Sequence, residues 1–273
     1  MKVGILGPRG TYSEIAARNH FGEKVDISPY PLITDVSEAV EKREVQFGVV
    51  PVESLREGSI GETLDALAWK DVKVNAEIVL KITHHLLGTE ETEFDEIKQV
   101  LSHPQAIAQC REFLRRNLPD AELISVTSTA KAAKQISKDG KHYLAAIGSR
   151  GLADLYNLKI IEENIQGGKE DETRFFSLAK KDNEPTGEDK TSIVFYTKED
   201  RPGILSEILQ GFAKRDINLT KIESRPSKEA LGDYLFFIDF EGHRKEPSVR
   251  KALEKIKSKV ATLKIIGSYP KIY

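Results

Sequence analysis

One cysteine, Cys110, stands in 273 residues, so an internal disulfide is excluded and the chain suits a reducing cytosol. An excess of either charge is also lacking. Lys and Arg number 41 against 43 Asp and Glu, a net charge of −2, which leaves no basic footprint for nucleic acid. Long apolar runs are missing. The opening "MKVGILGPRG" meets Gly, Pro and Arg too early for a signal peptide, and no later run approaches a membrane span. These features read as a cytoplasmic protein. "GPRGTYS" has neither GxGxxG nor GxxxxGK[ST] spacing, which leaves NAD and ATP sites without support. Neither HxxxH nor CxxC occurs. His84 and His85 are neighbours on a predicted strand and so face opposite sides, while His20, His142 and His243 are isolated and read as surface or helix-end residues. No metal and no cofactor is expected. A GxSxG nucleophile elbow is absent too.

What is present is a globular composition, 39% hydrophobic and 31% charged. Up to about residue 181, short apolar runs ("KVGIL", "FGVVPV", "QVLS", "ELISV", "YLAAIG") alternate with amphipathic stretches ("YSEIAARNHF", "SIGETLDALAW", "AIAQCREFLRRN", "TAKAAKQISKD"). Such alternation predicts a largely parallel sheet covered by helices. The long run "VKVNAEIVLKITHHLLG" is placed to pass from one such sheet to a second. Two α/β lobes with a cleft between them follow, since ligands of such sheets bind beyond the carboxyl ends of the strands. "KKDNEPTGEDK" is charged, nearly free of apolar residues and carries Pro185 and Gly187, and it reads as a linker. After it the order becomes βαββαβ, the ferredoxin-like arrangement. The expected division is residues 1–181, a linker at 182–190, and a second domain at 191–273.

In the first domain, predicted strands repeatedly run into Gly, Ser, Thr or Pro where a helix should begin. The junctions are "GPRGTYS", "ESLREGS", "SHPQ", "TSTA" and "GSR". Each alone is ordinary N-cap chemistry. Together they would bring free N–H donors and hydroxyls to one place, a setting that suits carboxylates. His103 in "SHPQ" is the one histidine at such a junction, and a helix-start role accounts for it equally well.

The ordered set "GPRGTYSEIAA", "VVPVESLREGSI", "LSHPQAIAQC", "TSTAKAA", "AAIGS" and "ETRF" resembles the prephenate dehydratases. "EDRPGILSEILQGFAKRDINLTKIESRP" resembles the ACT regulatory domain that follows the catalytic domain in that family. The resemblance implies a two-lobed catalytic domain like a periplasmic binding protein, without cofactor, that converts prephenate to phenylpyruvate, CO2 and water in phenylalanine synthesis. It implies that Thr173 of Thr-Arg-Phe is the residue most tied to catalysis, with Glu53 as a neighbour able to relay a proton. Arg174 becomes a candidate to pair with a substrate carboxylate, or else with the acidic run before it. Thr11, Ser102, Gln105, Ser128 and Ser149 become candidate orienting groups, each also readable as a cap. The family usually has Glu-Asn-Ser where this chain has Glu53-Ser54-Leu55. It commonly has Asp and Asn where Gly167 and Asp171 stand here.

In the second domain the resemblance implies a phenylalanine effector site at a dimer interface. Gly203, Ile204, Leu205, Asn218, Leu219, Glu223, Ser224 and Arg225 are its candidates, with Asp200 near the helix start as a cap and Ile204 where the family's usual residue is alanine. A homodimer or a dimer of dimers is expected. Two other readings remain open at this point, an arogenate dehydratase and a non-catalytic amino-acid sensor.

Overall fold

The computed structural model describes residues 1–166, 171–197, 201–228 and 233–272. Gly167 and Asp200 lie outside them.

The first lobe holds β1 (Lys2–Leu6), α1 (Tyr12–Phe21), β2 (Asp26–Tyr30), α2 (Ile33–Glu41), β3 (Phe47–Ser54), β4 (Gly58–Ser59), α3 (Gly61–Trp69) and β5 (Lys73–Lys81). The chain then builds a second lobe from β6 (His85–Gly88), β7 (Gln99–Ser102), α4 (Pro104–Gln109), α5 (Arg111–Asn117), β8 (Glu122–Ser125), α6 (Thr129–Asp139), β9 (Leu144–Gly148), α7 (Arg150–Tyr156) and β10 (Lys159–Glu162). It returns to the first lobe as β11 (Glu172–Ala179). The first sheet runs β2-β1-β3-β11-β5, with β4 on β3, and the second runs β10-β6-β9-β7-β8.

Neither sheet is as parallel as expected. β1, β2 and β3 are parallel, but β11 arrives from the second lobe and enters between β3 and β5, antiparallel to both. The return strand is therefore an interior strand of the first sheet, next to the edge strand β5 and paired on both sides. In the second lobe, β7, β8 and β9 are parallel, while β6 runs against them and pairs antiparallel with both β9 and β10.

The two crossings between the lobes are bonded to one another. Ile82 N–H donates to Asp171 O (2.7 Å) and Ile165 N–H to His84 O (2.9 Å). Gln166 spans the pair by accepting from His84 N–H (2.8 Å) and donating to Ile82 O (3.2 Å). Tyr12 adds a third tie, its phenol donating to Thr83 O at 2.5 Å.

The last domain comprises β12 (Asp189–Thr197), α8 (Ile204–Ala213), β13 (Leu219–Pro226), β14 (Tyr234–Glu241), α9 (Pro247–Lys257) and β15 (Val260–Pro270). Its sheet runs β13-β14-β12-β15. Strand alternation divides its side chains. Ile193, Phe195, Ile238 and Phe240 pack under α8 and α9, whereas Val194, Phe237, Ile266 and Tyr269 join a core with Val72, Val74 and Phe176 of the first lobe. The last domain is thus seated on the first lobe by a shared apolar core. Gly267 permits this approach, because a Cβ there would lie 2.1 Å from Val74 O. His243, expected at the surface or a helix end, stands just before α9, is fully buried and is bonded to Asn183 O at 2.9 Å.

Among the described residues no helix is long and apolar enough to cross a membrane, and no three His, Cys, Asp or Glu are grouped to hold a metal ion.

Candidate active site

A cleft of about 600 Å³ opens where the two lobes meet, a size suited to a small metabolite. Its floor comes from β11 and the residue before it. Asp171, Thr173 and Phe175 face the cleft at a period of two, so the intervening Arg174 faces the opposite side of the sheet. Thr173 lies opposite Ser54 on β3 and Leu80 on β5. Ser54 also lines the cleft and accepts from Arg56 N–H at 3.3 Å. The walls are strand–helix junctions. Thr11, Tyr12 and Ser13 come from the start of α1, His103 and Gln105 from the start of α4, and Thr127, Ser128 and Thr129 from the start of α6. Among the described residues no Lys or Arg lines it.

Beside Thr173 lies a buried polar chain. His84 Nε2 is 2.6 Å from Gln109 Oε1, and Gln109 Nε2 donates to Asp171 Oδ2 at 2.8 Å. Burial keeps the His84 imidazole neutral down to a pKa of about 4, the Gln109 bond opposing the shift only in part. Burial likewise pushes the Asp171 carboxyl above its ordinary range, while Arg56, Gln109 and the Glu172 backbone pull it back. Cys110, next along α4, is sealed, and its thiol is pushed up to about 12.

Of the residues singled out in the sequence, Thr11, Gln105, Ser128 and Thr173 line the cleft. Ser128 is also a cap, its hydroxyl accepting from Lys131 N–H at 3.0 Å, and Thr11 donates to Leu6 O at 3.1 Å. Four others are placed elsewhere. Ser102 is fully buried and donates to Ile147 O at 2.8 Å, tying β7 to β9. Ser149 is buried at the start of α7 with its hydroxyl unpaired, outside the cleft lining. Glu53 precedes Ser54 on β3 and so faces away from the cleft, bonded to Lys221 of β13 at 2.9 Å. Arg174 is also turned away. Its guanidinium donates to Glu77 Oε2 (2.8 Å), Asp239 Oδ2 (2.7 Å) and the Tyr269 hydroxyl (3.0 Å), and lies 3.7 Å from Glu53. The expected carboxylate clamp and the Glu53 proton relay are therefore corrected to struts between the first lobe and the last domain.

Gln109 and His84 were missed in the sequence. Gln109 follows Gln105 by four residues, a spacing that places both on one helical face. His84 is set by the crossing geometry, which only the tertiary structure supplies.

In the last domain, Gly203 caps α8 with φ of 86°, ahead of Ile204 and Leu205. Leu205 and Leu219 meet in an apolar hollow with Leu209, Phe212 and Ile217. Asn218 lines a separate, polar hollow. The register of β13 slips between Leu219 and Lys221, and beyond the slip Lys221 and Arg225 face the first lobe. Arg225 pairs with Asp65 of α3 at 3.1 Å, with Glu223 within 3.9 Å, while Ser224 is exposed on the other face. The eight residues expected at one effector site are thus divided between the start of α8 and β13 with the residue before it, with Arg225 committed to the first lobe.

Comparison with known proteins matches this architecture. The prephenate dehydratase family profile matches residues 3–183, and the ACT domain profile matches residues 191–258. A bifunctional chorismate mutase/prephenate dehydratase of Aquifex aeolicus is 46% identical over 271 residues, covering 99% of this chain and 74% of that protein. A prephenate dehydratase of Methanocaldococcus jannaschii is 42% identical and covers 96% of each chain. The crystal structure of a prephenate dehydratase from Arthrobacter aurescens in complex with L-Phe superposes with a TM-score of 0.92 at 33% identity, covering 99% of this chain and 90% of that one. A likeness that runs through both lobes and the last domain places this chain in the prephenate dehydratase family.

Proposed function

We propose that the chain catalyses the decarboxylating dehydration of prephenate to phenylpyruvate, CO2 and water. The observation that carries this reading is Thr173, projecting from an interior strand of the first sheet into a cleft walled by hydroxyls, amides and helix starts. Prephenate is a dianion, and the N–H groups at the starts of α1 and α6 with Thr11, Ser128 and Thr129 supply donors for carboxylates. Arg56, whose charge acts on Asp171, lines with Gln109, Arg111 and Arg115 a smaller hollow of about 310 Å³.

Aromatisation drives the reaction, so the barrier lies in expelling the ring hydroxyl. As the C4–O bond breaks, the C1–carboxylate bond releases CO2 and its electron pair enters the ring, while the departing oxygen takes up a proton to leave as water. A Thr173 hydroxyl donating to that oxygen stabilises the charge that develops on it. One such donor is worth about 2.7–4 kcal/mol. A threonine hydroxyl is too weak an acid to supply the proton outright, which comes from solvent through a neighbouring group.

The reading extends to the division into catalytic residues 1–181, linker 182–190 and regulatory residues 191–273. Phenylalanine is the proposed effector of the last domain, as bound L-Phe in the Arthrobacter structure supports. Inhibition requires that phenylalanine bind two arrangements of the domains with different affinity. A homodimer or dimer of dimers in the cytoplasm completes the proposal. β13 pairs only with β14 among the described residues and presents Thr220, Ile222 and Ser224 outward as an unpaired edge. Following phenylpyruvate absorbance with prephenate or arogenate, with and without phenylalanine, tests the reading. Product from prephenate, diminished by phenylalanine, supports it. Product from arogenate alone, or none from either, overturns it.

A further inference from the structure

The carboxyl of Asp171 has no part in the reaction as described, yet it lies on the cleft floor two residues before Thr173 and is 2% exposed. Its Oδ2 accepts from Gln109, and its Oδ1 is buried with no partner. The polarity of the chain behind it is set. Gln109 Oε1 can only accept, so His84 Nε2 carries the hydrogen between them, and Gln109 Nε2 is left to donate to Asp171. Nothing in that chain offers Oδ1 a hydrogen. An ionised Asp171 would therefore set an anionic oxygen, relieved only in part by Arg56 and the Glu172 N–H, beside a doubly negative substrate, at a cost in both desolvation and repulsion. A neutral Asp171 would hold an O–H there instead, a donor for a carboxylate or the ring hydroxyl.

We infer that Asp171 binds the substrate as a neutral acid, donating a hydrogen bond from Oδ1, so that the cleft accepts its dianion only while this carboxyl is protonated. The inference rests on the dehydratase reading above. No proton changes owner in this step: the O–H stays on Asp171, and the contact is a hydrogen bond.

Arg56, the Tyr12 phenol and the Glu172 backbone act on Asp171 directly, and Gln109 stands between it and His84; Glu57 lines the same cleft, and Cys110 acts on Tyr12. Burial moves His84 down to about 4 and Cys110 up to about 12, and it moves Tyr12 upward as well. The thiol and the phenol are thus displaced well above the range in which a carboxyl loses its proton, and His84→Asn separates any contribution of the imidazole to the limb.

The test compares the pH dependence of kcat/KM in the wild type and in Asp171→Asn. The amide keeps an acceptor for Gln109 and places an N–H where the acid has its O–H, but it does not ionise. In the wild type kcat/KM should fall about tenfold per pH unit above the Asp171 midpoint, chiefly through KM. Asp171→Asn should lack that limb, its kcat/KM staying level across the same pH range whatever the height of its plateau. A limb that persists in the variant overturns the inference. So does a loss of turnover beyond about 100-fold at every pH in a folded variant, which would mean that the acid must surrender its proton.

A separate readout keeps failure of this inference distinct from failure of the dehydratase reading. The Asp171 carboxyl resonance, identified by its absence in Asp171→Asn, is titrated by carbon-13 NMR with and without prephenate. A midpoint above the ordinary 3.8 that rises further with prephenate supports the inference, even if no phenylpyruvate forms. A midpoint at or below it, or one that prephenate lowers, overturns it.

Discussion

Replacing Arg174 with methionine should destabilise the protein while leaving substrate affinity nearly unchanged. The guanidinium is about nine-tenths buried and makes charge-assisted bonds at 2.8 Å to Glu77 and 2.7 Å to Asp239, with a further bond to Tyr269. Methionine fills similar space over the Phe176 ring, which now lies 4.7 Å from the guanidinium carbon. It leaves two buried carboxylates short of a partner. Removing one member of a buried pair costs about 3–5 kcal/mol. The low end applies here, since Glu77 keeps Lys190 at 3.0 Å and Asp239 keeps Ser192 at 2.6 Å. About 3 kcal/mol corresponds to a fall in Tm of roughly 6–12 °C in a chain of this size. Calorimetry with parallel kinetics decides between this account and a substrate clamp. A Tm within about 1 °C of wild type with KM raised tenfold or more would refute the strut and restore the clamp.

Other expectations concern the buried groups around the cleft. His84 has its folded pKa depressed to about 4 from 6.5. The neutral form is the one that fits, so its contribution is fully present above 6.5 and is lost as pH falls toward 4. The loss amounts to about 3 kcal/mol, and urea unfolding at pH 7, 5 and 4 should show it in the wild type but not in His84→Asn. An equal acid loss in both proteins would contradict the assignment. Cys110 should resist a thiol reagent at pH 8 while the protein is folded and react once it unfolds, because its thiol is sealed and pushed up to about 12. Rapid labelling of native protein would show that α4 opens readily.

The layers of the fold were legible because the pattern that encodes them is local. α1 and α6 start and stop where the sequence places "YSEIAARNHF" and "TAKAAKQISKD", and "VKVNAEIVLKITHHLLG" does pass between lobes as β5 and β6. "AIAQCREFLRRN" looked like one helix but divides at Cys110, whose φ of −96° and ψ of 4° separate α4 from α5. β2 and β10 were missed, "DISPY" being polar and carrying a proline, and "KIIE" being only four residues long. The insertion of β11 between β3 and β5 depends on sequence-distant pairing, which no local pattern records.

The same distinction governs the site. Thr173 was legible from a short motif, but the direction of its neighbour was not. Once Thr173 faces the cleft, strand alternation sends Arg174 to the far side, where Glu77 and Asp239 happen to lie. Glu53 follows the same rule on β3, beside Ser54. The chain from His84 through Gln109 to Asp171 joins residues up to 87 positions apart by tertiary contacts alone.

The measurement closest to the central claim is steady-state formation of phenylpyruvate from prephenate by Thr173→Ala beside the wild type. Loss of the donor at the leaving oxygen should lower kcat by about 10²–10³ with KM little changed and Tm near that of the wild type. Turnover close to the wild type in a folded Thr173→Ala would contradict the role given to this residue.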